Sequence, residues 1–124
     1  MSRLLVVDHH SATRRSLKTY LSTALPDACV LEVSNALHAL ELIPKELPDL
    51  VIMAFSLPYM SGVEATREIK RRWPEVHVLM LTMEPSQSEL AIAAGADACV
   101  VKGGPSSELL DAVLKLSRGL SPLR

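Results

Sequence analysis

The chain has 124 residues, 48% of them hydrophobic and 22% charged, with a formal net charge of −1. That length suits one compact domain whose core needs neither metal nor disulfide, and the near-zero charge excludes a global attraction to nucleic acid or anionic lipid. No basic stretch with a long apolar run opens the chain, and no apolar run approaches about 18 residues, so a cytoplasmic protein without a membrane span is expected.

Leu4-Leu5-Val6-Val7 is a short apolar run stopped by Asp8, the form of a strand buried on both faces. Ser11 to Ala24 carries Leu17, Tyr20, Leu21 and Ala24 at helical spacing, with Arg14, Arg15 and Lys18 elsewhere around the helix. Cys29 to Val33 predicts a second strand, and Ala36 to Ile43 a helix that Pro44 ends. Leu50 to Ala54 is the most apolar run and reads as the central strand. Ser61-Gly62-Val63-Glu64 has the form of a capping box, and its helix runs to about Arg72, before Pro74. Val76 to Thr82 gives a fourth strand. Ser86-Gln87-Ser88-Glu89 offers a second capping box, for a short helix closed by Gly95. Ala98 to Val101 is the fifth strand. Pro105 falls at the first position of the last helix, which buries Leu109, Leu110, Val113, Leu114 and Leu116.

The element order is therefore (βα)5, an α/β chain. Strands that alternate with helices and read as near-continuous apolar runs imply a doubly wound, five-stranded parallel sheet covered on both faces. In such a sheet the site forms outside the carboxyl ends of the strands, near the switch in strand order. The residues there are Asp8, His9, Ala54, Thr82 and Lys102.

Val6-Val7-Asp8-His9-His10, Pro48-Asp49, Leu57-Pro58-Tyr59-Met60-Ser61-Gly62, Leu81-Thr82 and Gly95-Ala96-Asp97-Ala98 leading to Lys102 together resemble the receiver domains of two-component response regulators, the flavodoxin-like fold typified by CheY. The likeness covers nearly the whole chain: residues 1–118 as the domain, 119–124 as a tail or the start of a linker. It implies that two acids after the first strand and an aspartate ending the third hold Mg²⁺, and that the last of these accepts a phosphoryl group. A hydroxyl after the fourth strand and a lysine after the fifth then contact the phosphate. Carried over by position, the first acid is Asp8, the second is replaced by His9, and the acceptor position is Ala54. Thr82 and Lys102 keep the hydroxyl and the ammonium. The aromatic switch position falls at Cys99, and the segment between the fourth and fifth strands looks about two residues short. Because His9 and Cys99 depart from the pattern along with Ala54, natural divergence explains the chain better than one laboratory substitution.

Elementary chemistry points the same way. The Ala54 methyl is no nucleophile, so no acyl phosphate forms there. Mg²⁺ requires oxygen ligands, and only Asp8 of three expected carboxylates remains, which changes the local charge from about −2 to about 0 once Lys102 is counted. No cofactor or bound metal is expected, and the domain is not expected to be an enzyme. Without its acceptor aspartate, Lys102 should reach toward Asp8 or lie in solvent.

The remaining candidates have simple readings. His9 and His10 could ligate a softer metal with Asp8, but residues leaving a strand diverge, so His9 filling the dead site and His10 facing the loop is the simpler expectation. His38 and His77 read as boundary residues without partners. Arg67, Lys70, Arg71 and Arg72 complement the dipole of the helix end they occupy. Cys29 and Cys99 read as reduced core residues. Ser56 and Ser61 lie near the vacant site, but neither is an activated nucleophile. Tyr59 is a candidate contact residue.

The intact (βα)5 pattern with the departures at Ala54, His9 and Cys99 points to a phosphorylation-independent module, and the resemblance implies that it binds protein partners or itself through the fourth helix, fifth strand and fifth helix, or through the first and fifth helices. Small-ligand sensing at the vacant site is the alternative. A flavin-binding enzyme is disfavoured, since no phosphate-cradling loop follows the first strand. Arg118 to Leu123 resembles the start of a linker to a helix-turn-helix DNA-binding domain, which implies transcriptional regulation in a longer protein.

Overall fold

A computed structural model describes residues 2–117, so the tail beyond Ser117 lies outside the described residues. The strands are β1 (Arg3–Val7), β2 (Cys29–Val33), β3 (Leu50–Ala54), β4 (His77–Thr82) and β5 (Ala98–Val101). The helices are α1 (Ser11–Ala24), α2 (Ala36–Glu46), α3 (Gly62–Arg72), α4 (Ser88–Ala93) and α5 (Ser106–Leu116). All pairings are parallel and the sheet order is β2-β1-β3-β4-β5. The order reverses between β1 and β3, so their carboxyl ends open the crevice in which such sheets place a site.

Strand alternation divides the core into two layers. Leu5, Val7, Val51, Met53, Val78 and Met80 face α2, α3 and α4, where Ala39, Ile43, Ala65, Ile69 and Ala91 are buried. Leu4, Val6, Leu50, Ile52, Leu79 and Leu81 face α1 and α5, meeting Leu21, Leu109 and Val113. Continuous apolar strands are thus buried from both sides, as their composition requires.

Four local expectations need correction. α2 does not stop at Pro44: it runs one further turn to Glu46, and Leu47 (φ +50) closes it by donating its N–H to the Ile43 carbonyl. Complete burial of Ile43 and the pairing of Glu46 with Arg3 outweigh the helix-breaking tendency of the proline. Before α4 the cap is not at Ser86. A 3-10 turn over Pro85–Gln87 starts at Glu84, and the Gln87 side-chain Oε1 accepts from the Met83 amide at 2.7 Å. Pro105 is the residue before α5 and not its first helical residue. The box at Ser61 forms on one side: Ser61 Oγ accepts from the Glu64 amide at 3.1 Å, whereas the Glu64 carboxylate returns to the Ser61 hydroxyl.

Candidate functional site

Sheet-like backbone bonds continue past the strand ends and carry the site residues into position. The amides of Asp8, Phe55 and Lys102 donate to the carbonyls of Val33, Leu81 and Thr82. Gly62 lets α3 start close to β3, because a Cβ there would lie 2.2 Å from the Ala54 carbonyl oxygen.

Asp8, Ala54, Thr82 and Lys102 come together as the strand ends predict. Asp8 is 1% exposed. Its Oδ2 faces the Lys102 ammonium at 2.6 Å, outside hydrogen-bonding geometry, so charge carries that contact. Its Oδ1 accepts the His10 amide at 2.9 Å. Of the two destinations expected for Lys102, the ammonium takes the one toward Asp8. Ala54 contributes only a methyl, and Thr82 is fully buried with a hydroxyl that has no hydrogen-bond partner among the described residues.

The histidines differ from expectation. His9 and His10 are both exposed and stack at a tilt, with ring centroids 5.7 Å apart. It is His10, not His9, that lines the cavity of about 330 Å³ at the strand ends, with Thr13, Ala54, Phe55, Ser56 and Lys102. Ser56 is where its sequence position suggests, and Ser61 is the α3 cap. Cys99 is half-buried and donates its thiol to the Ser88 carbonyl across 3.8 Å. Burial pushes this thiol above its ordinary value despite that bond. Cys29 and Cys99 are both free.

Sequence reasoning missed Arg14. Its guanidinium bonds the Asp8 carbonyl and Glu32, both at 2.9 Å, and so ties the Asp8 loop to α1 and β2. The sequence signal was a cation in the first turn of the helix that follows a strand-ending acid. His77 is also not isolated, since its Nδ1 lies 3.6 Å from Asp97. The basic end of α3 is largely satisfied within the fold. Lys70 bonds the Pro74 and Val76 carbonyls and Asp97, while Arg71 and Arg72 share Glu68.

A doubly wound sheet with a buried acid, a buried hydroxyl and a lysine at the switch in strand order defines a receiver-type signalling domain. The chain belongs to the response regulator receiver domain family, whose model matches residues 4–114. It is 36% identical over 121 residues to the response regulator protein VraR of Staphylococcus aureus, covering 96% of this chain and 58% of VraR. The chain thus spans a little over half the length of that relative. Among solved structures it is similar to the response regulator TrrA of Thermotoga maritima in complex with Mg²⁺-BeF, at 32% identity and a TM-score of 0.85, over 94% of this chain and 100% of that one. A LuxR-family two-component response regulator from Aurantimonas sp. SI85-9A1 matches at 30% identity and a TM-score of 0.84, covering 91% of this chain and 82% of that chain.

Proposed function

We propose that this receiver domain signals without phosphate, as a pseudo-receiver that binds partners and is not an enzyme. The observation that carries the reading is the buried Asp8–Lys102 pair set beside the Ala54 methyl. The residues present do not fit Mg²⁺: one carboxylate oxygen already faces an ammonium, the second acid position is an exposed histidine, and the third has no donor atom. The ammonium supplies the positive charge that the buried Asp8 needs, which leaves a cation little electrostatic gain.

Signalling then rests on surface contacts. Leu90 and Ile92 of α4 are 55% and 54% exposed, two residues apart and so on different sides of the helix, and these apolar side chains support docking of a protein partner or a second copy at α4. The likeness to VraR and to a LuxR-family regulator supports a role in transcription, with residues 1–118 as the domain and 119–124 leading toward a DNA-binding domain. The test is amide NMR of the labelled domain during titration with Mg²⁺ and then beryllofluoride. Resonances of Asp8, Thr82 and Lys102 should stay fixed, and saturable shifts there would refute phosphate independence.

A second reading is favoured by the cavity at the strand ends, which carries the Lys102 ammonium and the Thr13 and Ser56 hydroxyls. In this reading the vacant site senses a small anion. Thermal stabilisation by anions at saturating concentration supports it, and none at any concentration refutes it.

A further inference from the structure

The two faces of the sheet are covered unequally. α2 and α3 pack closely on one face, whereas α1 and α5 approach each other less closely on the other. Between them lies a cleft of about 240 Å³, walled by Leu17 and Tyr20 of α1, Leu81, Val100 and Leu109. The Tyr20 hydroxyl donates to the Ser106 carbonyl at 3.3 Å and bridges the two helices. Thr13, Leu81 and Lys102 line both this cleft and the 330 Å³ cavity at the strand ends, so the two adjoin at Lys102.

Charge and polarity are distributed along this path. Among the described residues no Asp or Glu lines either cavity, and Lys102 is the one permanent charge in the lining. Lys102 keeps 19% of its side chain exposed against 1% for Asp8, so the ammonium is the member of the pair that a ligand reaches. With three donors, it can serve Asp8 and an incoming anion together. α1 begins beside it with neither a side-chain cap nor an acid in its first turn, which leaves terminal N–H groups and a favourable dipole for negative charge.

We propose that the adjoining cavities bind a small amphiphilic carboxylate, with its carboxylate at Lys102 and its apolar body in the α1–α5 cleft. The cleft alone falls below the roughly 300 Å³ of a usual drug-sized site, which limits the body to about a single ring or a chain of similar size. This inference rests on the ligand-sensing reading and adds to it the chemical class of the ligand and a second subsite.

The test uses the labelled domain and three probes: 3-phenylpropionate, the neutral 3-phenylpropanol, and acetate. 3-Phenylpropionate should shift Leu17, Leu109 and Lys102 resonances saturably and bind at least about tenfold tighter than either of the others, since it alone fills both subsites. Ser16 and Ser106 are exposed residues of the cleft lining, so Ser16→Phe and Ser106→Phe block the cleft without entering the core. Each should weaken 3-phenylpropionate about tenfold and leave the acetate response unchanged. Equal affinity for acetate and 3-phenylpropionate, or unchanged affinity in both variants, overturns the amphiphile inference while the anion reading stands. No saturable shift at Lys102 with either carboxylate overturns both.

Discussion

The Met60 amide donates to the Pro58 carbonyl at 2.8 Å, which closes a three-residue turn with Tyr59 at its centre and φ at +70. A side chain is strained there, and the ring is 86% exposed, so packing offsets none of the cost. Tyr59→Gly should therefore raise stability by about 1 kcal/mol, less the extra chain entropy glycine brings to the unfolded state, as measured by urea denaturation. A midpoint lower than wild type by more than the glycine entropy cost of about 1 kcal/mol would show that the ring makes a stabilising contact. A strained, solvent-facing aromatic on the loop after β3 fits a contact residue better than a scaffold residue. Lys102 gives the opposite case. Lys102→Ala leaves Asp8 buried without its counter-charge and should cost about 3 kcal/mol. Adding Asp8→Asn should recover a large part of that loss, and a double-mutant cycle with simply additive costs would sink the pairing argument.

Between elements, Asp97 is the tie that sequence inspection undervalued. Its Oδ2 accepts from the Val78 amide at 2.8 Å and from Lys70 at 3.1 Å, which joins the start of β5 to β4 and to α3. Burial acts to raise its pKa, but the Val78 amide and the Lys70 ammonium together outweigh that and hold the carboxyl below its ordinary 3.8. A lowered folded pKa gives stability that is complete above the unfolded value and is lost as pH falls through the folded one. Asp97→Asn should thus cost about 1 kcal/mol at pH 7, discounted for partial solvent screening, with a smaller difference from wild type once the pH is below 3.8. A difference that stays constant down to acid unfolding would remove ionisation from the account. Element limits were legible wherever burial and local pattern agree: β3 and β5 follow continuous apolar runs, β2 follows an apolar run broken only by Glu32, and α1 follows helical spacing. They were not legible at Pro44 or Ser86, because the deciding contacts, Ile43 in the core and Gln87 to Met83, belong to the folded chain.

At the scale of the whole molecule, strand order made Asp8, Ala54, Thr82 and Lys102 legible as one site, since every βα unit delivers its strand end to the same edge of the sheet. The direction of side chains leaving that edge was not legible. His10 faces the cavity and His9 does not, because the loop after Asp8 is fixed by the His10 amide on Asp8 and by Arg14, neither of which a motif records. This arrangement bears on restoration of phosphate chemistry. Ala54→Asp supplies the missing nucleophile and lines the cavity beside Lys102, yet the second metal acid is still absent at His9 and Asp8 still faces Lys102. Phosphoryl transfer depends on positioning and on charge around the transferring group, so the nucleophile alone should not suffice. With acetyl phosphate and Mg²⁺, Ala54→Asp should show negligible labelling. The double variant His9→Asp/Ala54→Asp, whose three carboxylates can recruit the ion, should label faster by on the order of a hundredfold. Rapid Mg²⁺-dependent labelling of the single variant would show that the site lost only its nucleophile and that its metal-binding capacity survives in the present fold. Failure of the double variant to label while it still binds Mg²⁺ would place the remaining defect in the Asp8–Lys102 pair, which must open before Lys102 can reach a phosphoryl oxygen.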